Sequence, residues 1–298
     1  MDERTALGLL ADELPAAGDD AAVVDGTVLT TDMLHERTDF PAGTTRYTAG
    51  WRAVGASLSD VGAMGATARA AVAVYAAPTF EAAALRAFVR GARDVCEAVG
   101  AEYVGGDLDS HEEFTVVTTA TGATDEPVYR TGASPGEAVC VTGTLGRSGA
   151  ALRLFEADDS TATERANELF RFEPRVRAGV TLRPHASAMM DSSDGLARSL
   201  HQLAEASGCG FAVDADRLPV DGRVDEVATD DADRRELAVH FGEDFELVFT
   251  VPEAALPAVA EATDVPVTRI GTVTDGGVRM DGEPLPDRGY THGTEGTT

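Results

Sequence analysis

The stretch Val28-Leu29-Thr30-Thr31-Asp32 runs from apolar residues (Val23, Val24, Val28, Leu29) onto two hydroxyls and a carboxylate. It reads as a short buried strand whose polar end emerges where ligands bind in α/β proteins. Hydroxyl and carboxylate oxygens are hard ligands, the type that suits Mg²⁺. Four further clusters share this character: Gly18-Asp19-Asp20, Ser57-Leu58-Ser59-Asp60, Gly105-Gly106-Asp107 and Asp191-Ser192-Ser193-Asp194-Gly195. Their convergence on divalent ions that hold a nucleotide is the chemistry this pattern suggests.

Each cluster also has a plainer reading. Asp194 or Ser193 can simply cap the following helix, although two aspartates and two serines after an apolar strand exceed what a cap needs. Gly105-Gly106-Asp107 can be an ordinary turn or a place where phosphate approaches the backbone. It does not open an EF-hand, because Glu112 occupies the position that loop reserves for glycine. Gly143–Gly149 is not G-x-G-x-x-G, and the six histidines show no metal-ligand spacing. Glu243-Asp244 fits either a polar loop or a substrate contact.

These residues need a scaffold to bring them together. Asp25-Gly26 signals a hairpin turn. Apolar residues at Tyr47, Trp51, Val54, Leu58 and Val61 predict a helix over 44–64 that carries Asp60 near its C-terminal end. A carboxylate there opposes the helix dipole, so a compensating cation is expected. Ala70–Tyr75 reads as a strand, Phe80–Val99 as a helix, Glu102–Val104 as a strand entering Gly105-Gly106-Asp107, and Glu113–Thr121 as a strand. Residues 122–137, rich in glycine and proline, mark a boundary, giving an N-terminal domain over 1–132 and a C-terminal α/β domain over 133–298. Strands at Ala138–Thr142, Ala186–Met190, Phe211–Val213, Phe245–Val251 and Val267–Val273, with a helix at Leu196–Ser207, complete an α/β (α+β) chain of mixed sheets covered by helices. Residues 1–17 read as an arm with a short helical piece, and the tail loosens from about Pro286.

At 298 residues with 43% hydrophobic content, the chain can bury a substantial core. Its formal charge is −27, and all 24 basic residues are arginine. Such a balance argues against nucleic acid as a partner and fits an acidic surface suited to high salt. The lack of lysine excludes a P-loop, a Schiff-base mechanism and a protein-kinase site. The start lacks the pattern of a signal peptide and no apolar run is long enough to span a bilayer. Three scattered cysteines fit a reducing cytoplasm.

Taken in order, Gly18-Asp-Asp20, Thr30-Thr-Asp32, Leu58-Ser59-Asp60 with Ala63-Met64-Gly65-Ala66, Gly105-Gly-Asp107, Arg130-Thr-Gly132, Pro135-Gly136, Thr142-Gly143, Asp191-Ser-Ser-Asp-Gly195 and Gly242-Glu243-Asp244-Phe-Glu246 resemble the thiamine-monophosphate kinase family. That family has the two-domain aminoimidazole-ribonucleotide-synthetase-like fold. The resemblance implies ATP-dependent phosphorylation of thiamine monophosphate to thiamine diphosphate, in a cytoplasmic homodimer. It implies Mg²⁺ on Asp20, Thr30, Thr31, Asp32, Asp60, Asp107, Asp191 and Asp194, with K⁺ as a further candidate cation. It places Gly106, Asp107, Arg130 and Ser193 against ATP, makes Asp32, Asp60, Asp107 and Arg130 the catalytic set, and puts Glu243 at the thiamine end. The chain departs from the family pattern in the substrate region, where Asp39 stands in place of a histidine and Asp287 in place of a stacking aromatic, with Tyr290 nearby. The alternative is an aminoimidazole-ribonucleotide-synthetase-type ligase of the same fold. Selenophosphate synthetase would need a reactive cysteine and lysine near the start, which this chain lacks.

Overall fold

A computed structural model describes residues 13–14, 16–157 and 159–289. Most of the expected N-terminal arm, and Tyr290, lie outside the described residues.

The first layer is a five-stranded sheet in the order β1-β2-β5-β3-β4. Its strands are β1 (Ala22–Val24), β2 (Thr27–His35), β3 (Thr67–Ala77), β4 (Glu102–Ser110) and β5 (Thr115–Ala123). Asp25 and Gly26 join β1 to β2 with φ of 49° and 74°, the paired positive values of a type I′ hairpin turn. The helix Arg46–Ala63 starts at Thr45, whose side chain accepts the backbone N–H of Thr48. With the helix Ala82–Val99 it covers one face of the sheet, and glycines let the two approach closely. A Cβ on Gly50 would overlap the Phe88 carbonyl, and one on Gly91 the Tyr47 carbonyl. The opposite face carries Leu29, Met33 and Val72 at 46%, 50% and 36% exposure.

Two strands run further than the sequence suggests. β2 does not stop at Asp32 but pairs with β5 through His35. β4 does not turn at Gly105-Gly106-Asp107, because β3 beside it keeps offering ladder partners through Ala77. Gly106 is required there: a Cβ would collide with the Ala73 carbonyl.

The second sheet, in the order β12-β11-β8-β10-β6-β9-β7, contains β6 (Ala138–Thr142), β7 (Ala188–Asp191), β8 (Gly210–Val213), β9 (Leu247–Val251), β10 (Val267–Thr274), β11 (Gly277–Met280) and β12 (Glu283–Pro284). β6, β7 and β9 are buried throughout, and their sequences are mainly apolar. The helix Leu196–Ser207 follows directly on the Asp191–Gly195 turn. A π-helical turn, Glu236–His240, precedes Gly242. The two halves meet along the helix Arg46–Ala63, whose Gly62 carbonyl lies against Gly179 of the helix Val176–Leu182.

Candidate active site

Separate elements deliver carboxylates to one point. Asp20 comes from the turn before β1, Asp60 from the last turn of the helix Arg46–Ala63, and Asp191 from the end of β7. An oxygen from each lies within 4.8 Å of the others. Thr30 and Asp32 project from the same face of β2, two residues apart as the strand period demands. The Thr30 hydroxyl donates to Asp60 at 2.6 Å, and the Ser57 hydroxyl donates to Asp32 at 2.5 Å. Arg130 reaches in from the connection between the sheets and pairs with Asp20 at 2.7 Å.

Like charges in a buried place should resist ionisation. Burial, reinforced by Asp20, pushes Asp191 up to about 8. Burial, then Asp32, Asp191 and Asp20, raises Asp60 well above the carboxylate range. Burial likewise raises Asp32 and takes Asp19 to about 6. One oxygen each of Asp20 and Asp191 is buried without a hydrogen-bond partner. Arg130 is the cation paired into this cluster, against several carboxylates. Hard oxygen donors, orphaned lone pairs and excess negative charge together fit a divalent ion.

Beside the cluster, residues 242–245 form a strained loop. Gly242, Glu243 and Phe245 have φ of 82°, 63° and 53°; positive φ in two non-glycine residues persists only when surroundings over-determine it. Here they do. The Glu243 N–H donates to the Ser193 carbonyl at 2.6 Å and the Phe245 N–H to the Ser192 carbonyl at 3.0 Å. The Ser148 hydroxyl donates to the Glu243 carbonyl at 2.6 Å. Asp244 accepts the backbone N–H groups of Gly146 and Ser148 at 2.5 and 3.0 Å. Two amides of the glycine-rich turn at 143–149 therefore serve an internal carboxylate, and those of Gly143 and Leu145 donate to the Pro266 and Pro219 carbonyls. Arg52, wholly buried in the helix Arg46–Ala63, donates to the Glu243 carbonyl at 3.2 Å and pairs with its carboxylate.

Residues 18–124 match the AIR synthase related protein N-terminal domain and residues 134–281 the corresponding C-terminal domain. A thiamine-monophosphate kinase of Halobacterium salinarum is 62% identical over 294 residues, covering 98% of this chain and 100% of that one. One from Methanospirillum hungatei is 41% identical, covering 98% and 99%. The chain belongs to the thiamine-monophosphate kinase family. A solved member, AaThiL complexed with AMPPCP and TMP, superposes with a TM-score of 0.86 at 29% identity, covering 98% of this chain and 97% of that one. The two-domain, mixed-sheet fold expected from the sequence is the fold of this family.

Within one chain of this family member, Asp20, Thr30, Asp32, Asp60, Asp191 and Arg130 come together. Of the three other expected metal ligands, Thr31 and Asp107 face away, and Asp194 is absent from the three-carboxylate group. Thr31 points to the opposite face of β2, where its hydroxyl donates to the Thr118 carbonyl at 2.8 Å; adjacent strand residues cannot share a face. Asp107 aligns through Val74 and Val117 with Met33, so it lies on the outer face, away from Asp32. Gly106 sits one row over, in register with Ala73, Thr118 and Asp32. Ser193 lends its carbonyl to the Glu243 loop, and the backbone at Asp194 is approached closely by Gly242 and Gly289. The substitutions in the substrate region have local partners: Asp39 accepts the His35 N–H at 2.6 Å, and Asp287 pairs with Arg198 at 3.2 Å.

The sequence reading missed Arg52 and Ser148. Arg52 had one visible signal: it lies two helical turns before Asp60, and the residues between them are apolar or small.

Proposed function

We propose that the protein transfers the γ-phosphoryl group of ATP directly to thiamine monophosphate, giving thiamine diphosphate. The observation that carries this reading is the buried Asp20–Asp60–Asp191 cluster with its orphaned oxygens, in a chain so similar to thiamine-monophosphate kinases. Asp20, Asp60 and Asp191, with Thr30 and Asp32 beside them, would hold Mg²⁺. When bound, the metal would supply charge neutralisation for two polyanions.

The residues divide the remaining work. Arg130 provides a fixed cation at the edge of the cluster, paired with Asp20. Thr30 orients the Asp60 carboxylate and Ser57 that of Asp32. The attacking group is a phosphate oxygen with a second pKa of about 6, already largely ionised at neutral pH, so no strong general base is needed. Glu243 offers a carboxylate to the cationic thiazolium end of the acceptor.

The exposed apolar face of the first sheet, bearing Leu29, Met33 and Val72, supports a homodimer through the N-terminal domain, since such patches mark association surfaces. In that assembly Asp107, on the same face, would be brought to the interface. Residues 1–132 and 133–298 are taken as the two domains. Among the described residues no helix is long and apolar enough to cross a membrane, in keeping with a cytoplasmic enzyme.

The test is ADP release from ATP and Mg²⁺ with thiamine monophosphate, with formylglycinamidine ribonucleotide, and with no acceptor. Release that depends on thiamine monophosphate is expected. Release with the ribonucleotide alone would replace this reading by the ligase of the same fold.

A further inference from the structure

The helix Arg46–Ala63 presents one side to the second half of the chain over two turns. Arg52 meets Glu243, Ala56 packs on the pair Phe172 and Phe245, whose rings stack at 4.1 Å, and Asp60 meets Asp191. Positions 52, 56 and 60 recur every fourth residue, so they share that side. At 1.5 Å per residue, Arg52 and Asp60 stand about 12 Å apart along a rigid rod. One end of this rod carries the phosphate-side cluster and the other the Glu243 loop.

We propose that Arg52 is a positioning residue for the acceptor. It fixes the Glu243 carboxylate, and the left-handed backbone beneath it, at a set distance from the Asp20–Asp60–Asp191 cluster. The guanidinium is suited to this and little else. It is fully buried, lies 3.6 Å from the Phe170 ring centroid, and donates to the Phe170 carbonyl at 2.7 Å. Its Nη2 grips both the carbonyl and the carboxylate of Glu243, while its Nε–H is buried without a hydrogen-bond partner. A planar fork of donors can satisfy those directions together, whereas a single ammonium cannot. Glu243 differs from its partner in keeping 30% of its side chain exposed. Its carboxylate is thus anchored on one side and reachable from solvent on the other. The inference rests on the acceptor being thiamine monophosphate, whose thiazolium ring is the cation that such a carboxylate would face.

The experiment is steady-state kinetics on the full chain as wild type, R52K, R52M, E243Q and R52M/E243Q, varying ATP and thiamine monophosphate separately. R52K and E243Q are expected to raise KM for thiamine monophosphate about tenfold while leaving KM for ATP within about twofold. The double variant should be no worse than the poorer single one, because both substitutions break the same contact. An unchanged acceptor KM in R52K, whatever E243Q does, or equal increases for both substrates, would overturn the proposal; R52K and E243Q decide it if R52M fails to fold. A wild-type protein without thiamine-monophosphate-dependent ADP release would instead overturn the functional reading beneath it. An active wild type with unaltered variants overturns the positioning role alone.

Discussion

Replacing Asp60 by asparagine separates the cost of the carboxylate cluster from its use. Oxygens of Asp20, Asp60 and Asp191 lie within 4.8 Å of one another. At that distance two unit charges repel by about 3.5 kcal/mol at an effective dielectric constant of 20. At pH 7 Asp191, pushed up to about 8, is mostly protonated. What opposes ionisation of Asp60 is then burial first and repulsion from Asp32 and Asp20 next, and Arg130 offsets part of the latter. The amide oxygen that replaces the carboxylate can still accept the Thr30 hydroxyl, so one hydrogen bond survives. The metal-free D60N protein should therefore gain about 2 kcal/mol, or roughly 5 °C in Tm for a chain of this size. The gain should grow above pH 8, where Asp191 ionises and adds a second repulsive pair. With metal the order reverses: saturating the wild type at a hundred times Kd adds about 2.7 kcal/mol, and D60N should lose most of that. Thermal unfolding with MgCl₂ and with NaCl at equal ionic strength reads both effects, and activity should fall by about 10³. A D60N protein less stable than wild type without metal, or stabilised by Mg²⁺ as strongly, would refute the reasoning.

Gly91→Ala should cost about 1–3 kcal/mol by overpacking, because its Cβ would overlap the Tyr47 carbonyl in the helix–helix contact. A lower urea midpoint with unchanged KM for ATP is the expected result. Asp244 gives a pH signature. Burial raises it from 3.8 to about 7, so the folded state holds its proton more tightly than the unfolded chain. Its contribution is present below pH 4 and is lost as pH rises through 7. Over this span the wild type should lose up to about 4 kcal/mol more than D244N, read as the difference between their urea midpoints at pH 4.5 and pH 8.

The parts legible in the sequence were those with local causes. The helix Leu196–Ser207 and the strand Ala138–Thr142 match their expected bounds because apolar period and flanking glycines fix them. The Asp25-Gly26 hairpin was readable because positive φ at two successive residues demands such a pair. What failed was anything set by a neighbour. β4 passes through Gly105-Gly106-Asp107 because β3 pairs with it there, and nothing in the tripeptide announces that. Thr31 was grouped with Thr30 and Asp32 as though three successive strand residues could face one site; the period of two forbids it. Arg52 belongs to none of the clusters visible in the sequence, because its partner Glu243 is distant along the chain.

Acidic residues make the same point at the scale of the whole chain. Fifty-one of 298 residues are aspartate or glutamate, and residue type alone cannot separate a solvated surface from a metal site. Burial separates them. Asp233 keeps its carboxyl below the usual range through the Thr229 N–H and Arg153, whereas burial drives Asp60 and Asp191 the other way, reinforced by Asp32, Asp191 and Asp20 at Asp60 and by Asp20 at Asp191. A fold gains nothing by hiding repelling carboxylates with unsatisfied oxygens unless something else completes the charge. The unfavourable state of the bare cluster is therefore the strongest structural argument for its use, and it identifies these aspartates among dozens without appeal to any relative.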